Sequence, residues 1–223
     1  MTGTEPTERV RLAVYRAFAV TGCAPTTEEI ATAAAVPPEA VEPALVELER
    51  LHHVVRRAGR IVLAHPFGGR AFGFSVMSED VLWWGGCAWD AFAIPNLLHA
   101  GPVLVATTCP ACGTAHAWNV GDDAPPEGDQ VAHFLVPAAH IWDDVVHACS
   151  NQRIFCSTRC VDDWLERTGH ERGSVFDLAT LWRLAAHWYD GRLDSPYTRR
   201  EPAEAAAYFA AAGLTGPFWD APR

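Results

Sequence analysis

Long apolar runs and basic charge are both scarce in this sequence. No stretch approaches the ~20 apolar residues that a membrane-spanning helix needs. The start, Met1-Thr2-Gly3-Thr4-Glu5, lacks the basic segment and apolar run of a secretory signal. We therefore expect a cytoplasmic protein with no membrane partner. The 17 Lys and Arg residues are outnumbered by 27 Asp and Glu residues, so no sequence-wide positive field favours nucleic acid or an anionic membrane.

Cysteine, by contrast, is abundant for a reducing compartment. The seven cysteines are Cys23, Cys87, Cys109, Cys112, Cys149, Cys156 and Cys160. A disulfide framework is not expected there, so metal or thiol chemistry is the better interpretation of the set. The structural alternative for any single cysteine is a buried, inert thiol that packs as a small hydrophobic residue. We interpret Cys23 and Cys149 in this way.

Residues 1–65 are predicted to form three helices and a hairpin. Apolar residues at helical spacing over 10–18 predict a first helix that stops at Gly22. Thr26-Thr27-Glu28-Glu29 has the form of a capping box, and Pro37-Pro38 opens a third helix. Two short apolar runs joined through Ala58-Gly59 then predict a hairpin. The pattern is typical of a winged helix-turn-helix.

DNA binding is the obvious function of such a module, but its charge argues against it. The helix that would enter the major groove carries four glutamates against Arg50 alone, and these are Glu39, Glu42, Glu47 and Glu49. Phosphate would be repelled there. The wing residues Arg56, Arg57 and Arg60 keep DNA binding as the alternative. We interpret 1–65 as a winged-helix-like packing domain without a nucleic-acid partner.

Residues 66–223 have a different pattern and predict a second, mixed domain. Short apolar runs separated by turns predict a mostly antiparallel sheet, with strands at 71–76, 81–84, 102–107, 116–120 and 133–137. Helical patterns follow at 138–148, 157–168, 175–189 and 201–212. The predicted fold class is α+β, with the three-helix module followed by a mixed domain of antiparallel strands and helices.

The first candidate site surrounds Cys87 and Asp90. A strand is predicted to pass through the glycine turn Gly85-Gly86 into a helix that ends near Pro95. Cys87 then lies in the first turn, and Asp90, three residues later, shares its face. A helix start favours a thiolate at Cys87, and a carboxyl facing a thiolate in an apolar pocket tends to keep its proton. The pair is therefore a proton donor beside a soft nucleophile.

Cys156 is predicted to occupy a similar place at the start of a later helix. A short strand ends at Phe155, and Ser157 is suited to cap the helix that follows. The helix start and nearby Arg159 would both favour a thiolate at Cys156.

A structural metal site is the competing interpretation of Cys156. Cys109-Pro110-Ala111-Cys112 is a CxxC knuckle of the kind that binds zinc. Cys156 and Cys160, at i and i+4, would complete a tetrahedral four-cysteine site, and a thiolate bound to zinc is not free for other chemistry. In a smaller version, Cys109, Cys112 and His116 hold zinc or copper. The protein would then be a cysteine-rich metal-binding module and not an enzyme.

A family resemblance bears on these alternatives. Residues 81–95, VLWWGGCAWDAFAIP, followed by VLVATTC at 103–109, resemble the bacterial organomercurial lyases, or alkylmercury lyases. In that family a cysteine and an aspartate stand three apart ahead of a proline, and another cysteine follows the next strand. Phe155-Cys156-Ser157, with Asp163-Trp164 on the next helix, resembles the segment that carries the family's second catalytic cysteine. The likeness runs from about residue 72 to residue 188.

The resemblance implies an enzyme that cleaves carbon–mercury bonds. Cys87 and Cys156 would bind mercury, Asp90 would protonate the departing carbon, and Cys109 would be structural. Two thiolates that donate to mercury weaken its bond to carbon, while the acid traps the carbanion. Mercury is then substrate and product, no cofactor is required, and zinc remains possible. The implied partners are a small organomercurial and, for Hg(II), a mercuric reductase or small thiols.

The sequence departs from the best-known members of that family at four points. These are Cys112, Cys160, the short spacing between Cys156 and Trp164, and the glycines before Cys87. The departures bear on the range of substrates more than on the type of reaction.

Overall fold

The structure is a computed structural model that describes residues 5–220. The first four residues, which belong to the start that is predicted to lack a secretory signal, lie outside the described residues. The helices are α1 Glu5–Thr21, α2 Thr27–Ala34, α3 Pro38–Arg50, α4 Ala88–Leu98, α5 Val145–Ser150, α6 Thr158–Thr168, α7 Leu178–Ala186 and α8 Pro202–Ala211. The strands are β1 Val55–Arg57, β2 Arg60–Ala64, β3 Phe67–Gly68, β4 Phe74–Met77, β5 Leu82–Gly85, β6 Val103–Thr108, β7 Ala115–Val120, β8 Val131–Phe134, β9 Gln152–Phe155 and β10 Ser174–Asp177. The α+β class is confirmed. None of the described helices is long and apolar enough to cross a bilayer.

The three predicted helices and the hairpin are present in the N-terminal module. The Thr26 side chain accepts a hydrogen bond from the Glu29 amide, and the Glu29 carboxylate accepts one from the Thr26 amide, so the capping box is formed. β1 pairs with β2 in antiparallel register, with Ala58 and Gly59 both at positive φ in the turn. The winged-helix assignment itself stays a prediction.

Arg56 in the hairpin forms ion pairs with two glutamates of the same module. Its guanidinium lies 2.7 Å from a carboxylate oxygen of Glu42 and 2.7 Å from one of Glu49, both on α3. The acidic helix that would repel phosphate therefore also neutralises this wing arginine. The arrangement favours a packing role for the module.

A seven-stranded sheet joins the N-terminal module to the rest of the chain. Its order is β1-β2-β3-β5-β4-β6-β7, and every pair in it is antiparallel. A second sheet has the order β10-β8-β9, also antiparallel. The predicted domain boundary after residue 65 falls between β2 and β3, which are neighbours in the first sheet. The division at that point stays a prediction.

Two of the predicted helices begin later than expected because of local caps. The stretch 138–148 forms a 3-10 turn over Ala138–His140, and α5 starts only after Asp144, whose side chain accepts a hydrogen bond from the His147 amide. The stretch 175–189 opens as β10, which pairs with β8. Asp177 then accepts from the Thr180 amide and starts α7. Aspartate caps inside an apolar pattern thus divide it into two elements.

The central helix α4 places the first candidate site in the core. Its residues from Ala88 to Leu97 are all buried, and Trp89 Nε1 donates to the Leu184 carbonyl of α7 at 3.1 Å. At Gly85 a Cβ would lie 2.8 Å from Cα of Ala91. Only glycine allows β5 to approach the helix this closely. The first turn of α4 is consequently enclosed by protein.

Candidate functional site

Cys87 and Asp90 meet at the buried start of α4, as predicted. Cys87 is the N-cap residue, and its Sγ accepts a hydrogen bond from the Asp90 amide at 3.4 Å. The two residues are only 2% and 1% exposed, respectively. A Cβ at Gly86 would lie 2.4 Å from Oδ2 of Asp90 and 2.8 Å from Cδ2 of Leu63. The glycine turn therefore makes room for the carboxyl group.

Two buried side chains hold the Asp90 carboxyl group. Nδ1 of His65, which follows β2, lies 3.0 Å from Oδ2. The hydroxyl of Tyr189, which follows α7, donates to Oδ1. Nε2 of His65 is buried and has no hydrogen-bond partner among the described residues. Both carboxyl oxygens are thus fixed in position from two sides of the core.

The second thiol at this site belongs to Cys149 and not to Cys156. Cys149 lies on α5, is 3% exposed, and lines the same cavity as Cys87, and each of the two thiols shifts the pKa of the other. Its Sγ also lies within 4.8 Å of ligand atoms of His65 and Asp90. The structure brings together two thiols and a carboxyl group, as the chemistry predicted from the sequence requires. Cys149 is buried in the main core, as its predicted packing role requires, and in addition it adjoins the cavity.

Both thiols at the site favour their protonated forms. Burial raises the pKa of Cys87 well above its ordinary value, and Cys149 and the charge of Asp90 add to the shift. For Cys149, the hydrogen bond with Cys87 lowers the pKa, but burial and Asp90 outweigh it and the net shift is upward. The expected thiolate at Cys87 is therefore wrong for the protein without substrate, because desolvation exceeds the effect of the helix start.

A cavity of about 470 Å³ opens onto these groups. Cys87, Asp90, Cys149, His65 and Tyr189 line it, and the remaining wall is largely apolar and aromatic, including Trp89, Ile141, Trp142, Trp188 and Phe209. The Trp142 ring stacks on His52 with centroids 4.2 Å apart, and the Arg199 guanidinium lies 4.7 Å from the Trp142 centroid. Cys156 is not among the described residues that line the cavity.

Cys156 instead belongs to a separate group of four thiols. Sγ atoms of Cys109, Cys112, Cys156 and Cys160 all lie within 4.8 Å of one another, and those of Cys112 and Cys156 are 3.5 Å apart. Nε2 of His116 lies 3.2 Å from Sγ of Cys156. Hydrogen bonds with Thr114 lower the pKa of Cys112 to about 6, whereas burial raises that of Cys156 to about 12. The set predicted as the alternative zinc site is thus assembled as a unit.

The separation of Cys156 from Cys87 follows from strand β9. Cys149 precedes this strand and Cys156 follows it directly, while Gln152 at its first position lines the cavity. An extended chain advances by about 3.3 Å per residue, so the two cysteines lie toward opposite ends of the strand. Only the end with Cys149 faces Cys87.

Sequence reasoning also missed His65 and Tyr189 as site residues and misplaced Cys23. His65 and Tyr189 lie 25 and 99 residues from Asp90 along the chain, with no local spacing to connect them to it. The sequence did offer Cys149 as a candidate, because it precedes the same strand, β9, that Cys156 follows. Cys23, expected to be buried, is exposed.

Comparisons with known proteins identify a family and a fold for this chain. A model of the alkylmercury lyase family matches residues 69–190, more than half of the chain. The crystal structure of the mercury-bound form of MerB2 superimposes with a TM-score of 0.62 and 17% identity, covering 82% of this chain and 89% of that chain. At this identity the superposition shows a common fold. No curated protein sequence matches the chain. The family match confirms the resemblance seen in the sequence, and the chain belongs to the alkylmercury lyase family.

Proposed function

We propose that this protein cleaves the carbon–mercury bond of organomercurials by protonolysis. The observation that carries the proposal is the meeting of the Cys87 and Cys149 thiols with the Asp90 carboxyl group in one buried cavity. Mercury is a soft metal that prefers thiolate ligands, and a carboxyl group is a general acid. The assignment of Cys149 as the second ligand replaces that of Cys156.

The reaction balances with the protons that the two thiols already carry. The Cys87 thiol displaces the leaving ligand X from R–Hg–X, which forms an S–Hg bond and releases HX. The Cys149 thiol transfers its proton to the Asp90 carboxylate and binds mercury as a thiolate. Asp90 then delivers this proton to carbon as the carbon–mercury bond breaks, giving R–H and mercury bound by both sulfurs. The raised pKa values of the thiols support this role, because both protons are present before substrate binds.

His65 and Tyr189 position the acid in this mechanism. A carboxyl group that turned freely would reach the carbon only in part of its conformations, and holding it in place lowers that entropic cost. The Tyr189 hydrogen bond also remains after proton transfer and stabilises the carboxylate. Both are positioning residues, since their hydrogen bonds act through Asp90.

The cavity wall accounts for binding of the organic group. Aromatic and aliphatic side chains such as Ile141, Trp142 and Phe209 offer apolar surface to R, while the sulfurs take the metal. The Hg(II) product, bound by two thiolates, needs competing thiols or a mercuric reductase to leave. We place the protein in the cytoplasm, because its seven cysteines and its reaction both need reduced thiols.

A turnover assay tests the proposal directly. Wild-type protein is incubated with phenylmercury or methylmercury and excess small thiol, and benzene or methane is measured by gas chromatography. We expect repeated turnover by the wild type and by the control Cys23→Ser, which changes an exposed thiol. Stoichiometric binding of phenylmercury without release of benzene would instead identify a metal-binding module and contradict the proposal.

A further inference from the structure

The four-thiol group outside the cavity has the composition of a complete metal site. Cys109 and Cys112 come from the turn between β6 and β7, and Cys156 and Cys160 come from the start of α6. A tetrahedral zinc–thiolate centre with bonds of about 2.3 Å places its sulfurs about 3.8 Å apart. The observed spread, with all four Sγ atoms within 4.8 Å of one another, is close to that arrangement. Small rotations of exposed side chains would complete it.

The backbone around the four thiols is arranged to hold them in place. The Cys109 carbonyl accepts a hydrogen bond from the Gly113 amide, and Gly113 adopts a φ of +74° that turns the chain. Arg167 of α6 donates to the carbonyls of Pro110 and Ala111 at 2.7 and 3.1 Å. The turn is therefore fastened to the helix that supplies the other two cysteines. Arg167 also places a positive charge beside a site whose four thiolates exceed the charge of a divalent ion.

The hydrophobic core around the four thiols is small. The described buried residues packed here form a separate cluster of five, Cys109, Phe155, Val161, Trp164 and Leu165, apart from the main core. Small hydrophobic cores are commonly supplemented by a structural metal. The four cysteines connect a turn of the seven-stranded sheet to the helix that follows β9 of the three-stranded sheet. A metal here would link the two sheets.

We propose that Cys109, Cys112, Cys156 and Cys160 bind a resident zinc ion that stabilises this junction and takes no part in the reaction at Cys87. Four sulfur ligands close the tetrahedral coordination of zinc, as in structural sites. His116, with Nε2 at 3.2 Å from Sγ of Cys156, acts from outside as a donor to the thiolate. The proposal depends on these contacts alone and is independent of the mercury chemistry.

Metal analysis of the full-length protein tests the site without an activity readout. Protein is purified in reducing buffer without added metal, dialysed, and its zinc measured by mass spectrometry. We expect stoichiometric zinc in the wild type and in the controls Cys23→Ser and Cys87→Ser, and loss of zinc in Cys112→Ser. Replacement by Co(II) should give the intense ligand-field bands of a tetrahedral thiolate site. Zinc retained by Cys112→Ser but lost from Cys87→Ser would place the ion in the cavity and overturn the proposal.

Thermal unfolding of the wild type covers the case in which the cysteine variants do not fold. Removal of zinc by a strong chelator should lower the melting temperature by ~5 °C or more, and added zinc should restore it. A metal-free wild type that melts at the same temperature with chelator and with added zinc would overturn the proposal. A disulfide between Cys112 and Cys156 in zinc-free, stable protein would do the same.

Discussion

The two cysteine groups of this protein differ in what surrounds the sulfur atoms. In the cavity, two buried thiols adjoin a carboxyl group, and about 470 Å³ of space is left for another molecule. In the other group, one buried thiol, that of Cys109, and three more accessible ones face one another. A metal held by two sulfurs keeps positions for a carbon ligand, whereas one held by four does not. We therefore propose that the same residue type serves substrate chemistry in one place and structure in the other.

The comparison also shows why an acid is needed in only one of the groups. Thiolate binding weakens a carbon–mercury bond, but the carbon leaves only when a proton reaches it. In the reaction that we propose, Asp90, which lies beside Cys87 and Cys149, supplies that proton. The four-thiol group has histidine and arginine neighbours instead, which suit the charge of a thiolate centre. Each prediction below tests this division of roles.

Replacing one cysteine of each group with serine should give the largest difference between the two groups. Cys149→Ser should reduce benzene release from phenylmercury to background, because one remaining thiolate does not weaken the bond sufficiently. Cys156→Ser should lower the melting temperature and retain turnover at temperatures where it is folded. Gas chromatography of benzene and circular dichroism of each variant measure the two effects. If Cys149→Ser kept turnover and folded Cys156→Ser lost it, the assignment of the two groups would be reversed.

Removal of the transferable proton should give the next largest effect. Asp90→Asn keeps the size of the side chain, so the variant should still bind phenylmercury through both thiols. Its turnover should fall by on the order of 10²–10⁴-fold, the usual contribution of a general acid. Mass spectrometry should show a persistent phenylmercury adduct in the variant and mercury alone in the wild type. The matched control is Asp143→Asn, which changes an exposed carboxylate. Turnover within about tenfold of wild type would show that the proton has another source.

The residues that could be predicted from sequence are those whose positions depend on local structure. Thr26 and Glu29 cap α2 within one turn, and Cys87 and Asp90 share the first turn of α4. His65 and Tyr189 reach Asp90 only through the pairing of β2 with the sheet and the packing of α7 on α4. Such contacts depend on topology, which no spacing within the sequence records.

The position of Cys156 outside the cavity, where the sequence placed it beside Cys87, has a different cause. Its distance to Cys160 and the CxxC knuckle at 109–112 fit a metal site, and that interpretation described the observed cluster. The family resemblance favoured a catalytic role for Cys156 instead. It implied one catalytic cysteine in this segment, whereas the segment contains two, Cys149 before β9 and Cys156 after it. Only the direction of the strand separates Cys149 from Cys156. β9 has four residues, which is long enough to place Cys156 outside the cavity.

Loss of the hydrogen bond from Tyr189 should have an intermediate effect. Tyr189→Phe keeps the ring and removes the donor to Oδ1 of Asp90. A hydrogen bond to a charged group contributes ~1.5–3 kcal/mol, so kcat should fall ~10- to 100-fold. KM should change little, since the organic group and mercury contact other atoms. The control Tyr15→Phe removes buried hydrogen bonds with the His53 carbonyl and the Arg192 guanidinium, neither of which involves Asp90, so it should lower stability and reduce kcat less than Tyr189→Phe does. A change confined to KM would assign Tyr189 to substrate binding.

The smallest expected effect is an alkaline loss of stability that comes from the cavity thiols. Burial raises the pKa of Cys87 above the ordinary value of 9.0. The pKa of Cys149 is also above that value, because burial and the charge of Asp90 outweigh the lowering effect of Cys87. Above that pH the unfolded chain releases these protons while the folded chain keeps them, so unfolding becomes more favourable. The contribution is complete below pH 9.0 and is lost as pH rises toward the folded pKa values. Each thiol adds a slope of at most ~1.4 kcal/mol per pH unit to the free energy of unfolding.

Urea unfolding between pH ~8 and ~10.5 measures this slope. The double variant Cys87→Ala/Cys149→Ala should lose stability less steeply with pH than the wild type, whatever its stability at neutral pH. Tyr15, whose pKa is raised first by burial, contributes equally to both proteins and cancels in the comparison. The pKa of Tyr189 is raised first by burial and also by charge on Cys87, so removing Cys87 reduces the Tyr189 contribution in the same direction. Cys23→Ala, which changes an exposed thiol, should keep the wild-type slope. An unchanged slope in the double variant would mean that the cavity thiols ionise in the folded protein as readily as in the unfolded chain. The desolvation that we infer for the two buried thiols would then be wrong, and the alkaline loss of stability would have to come from other groups.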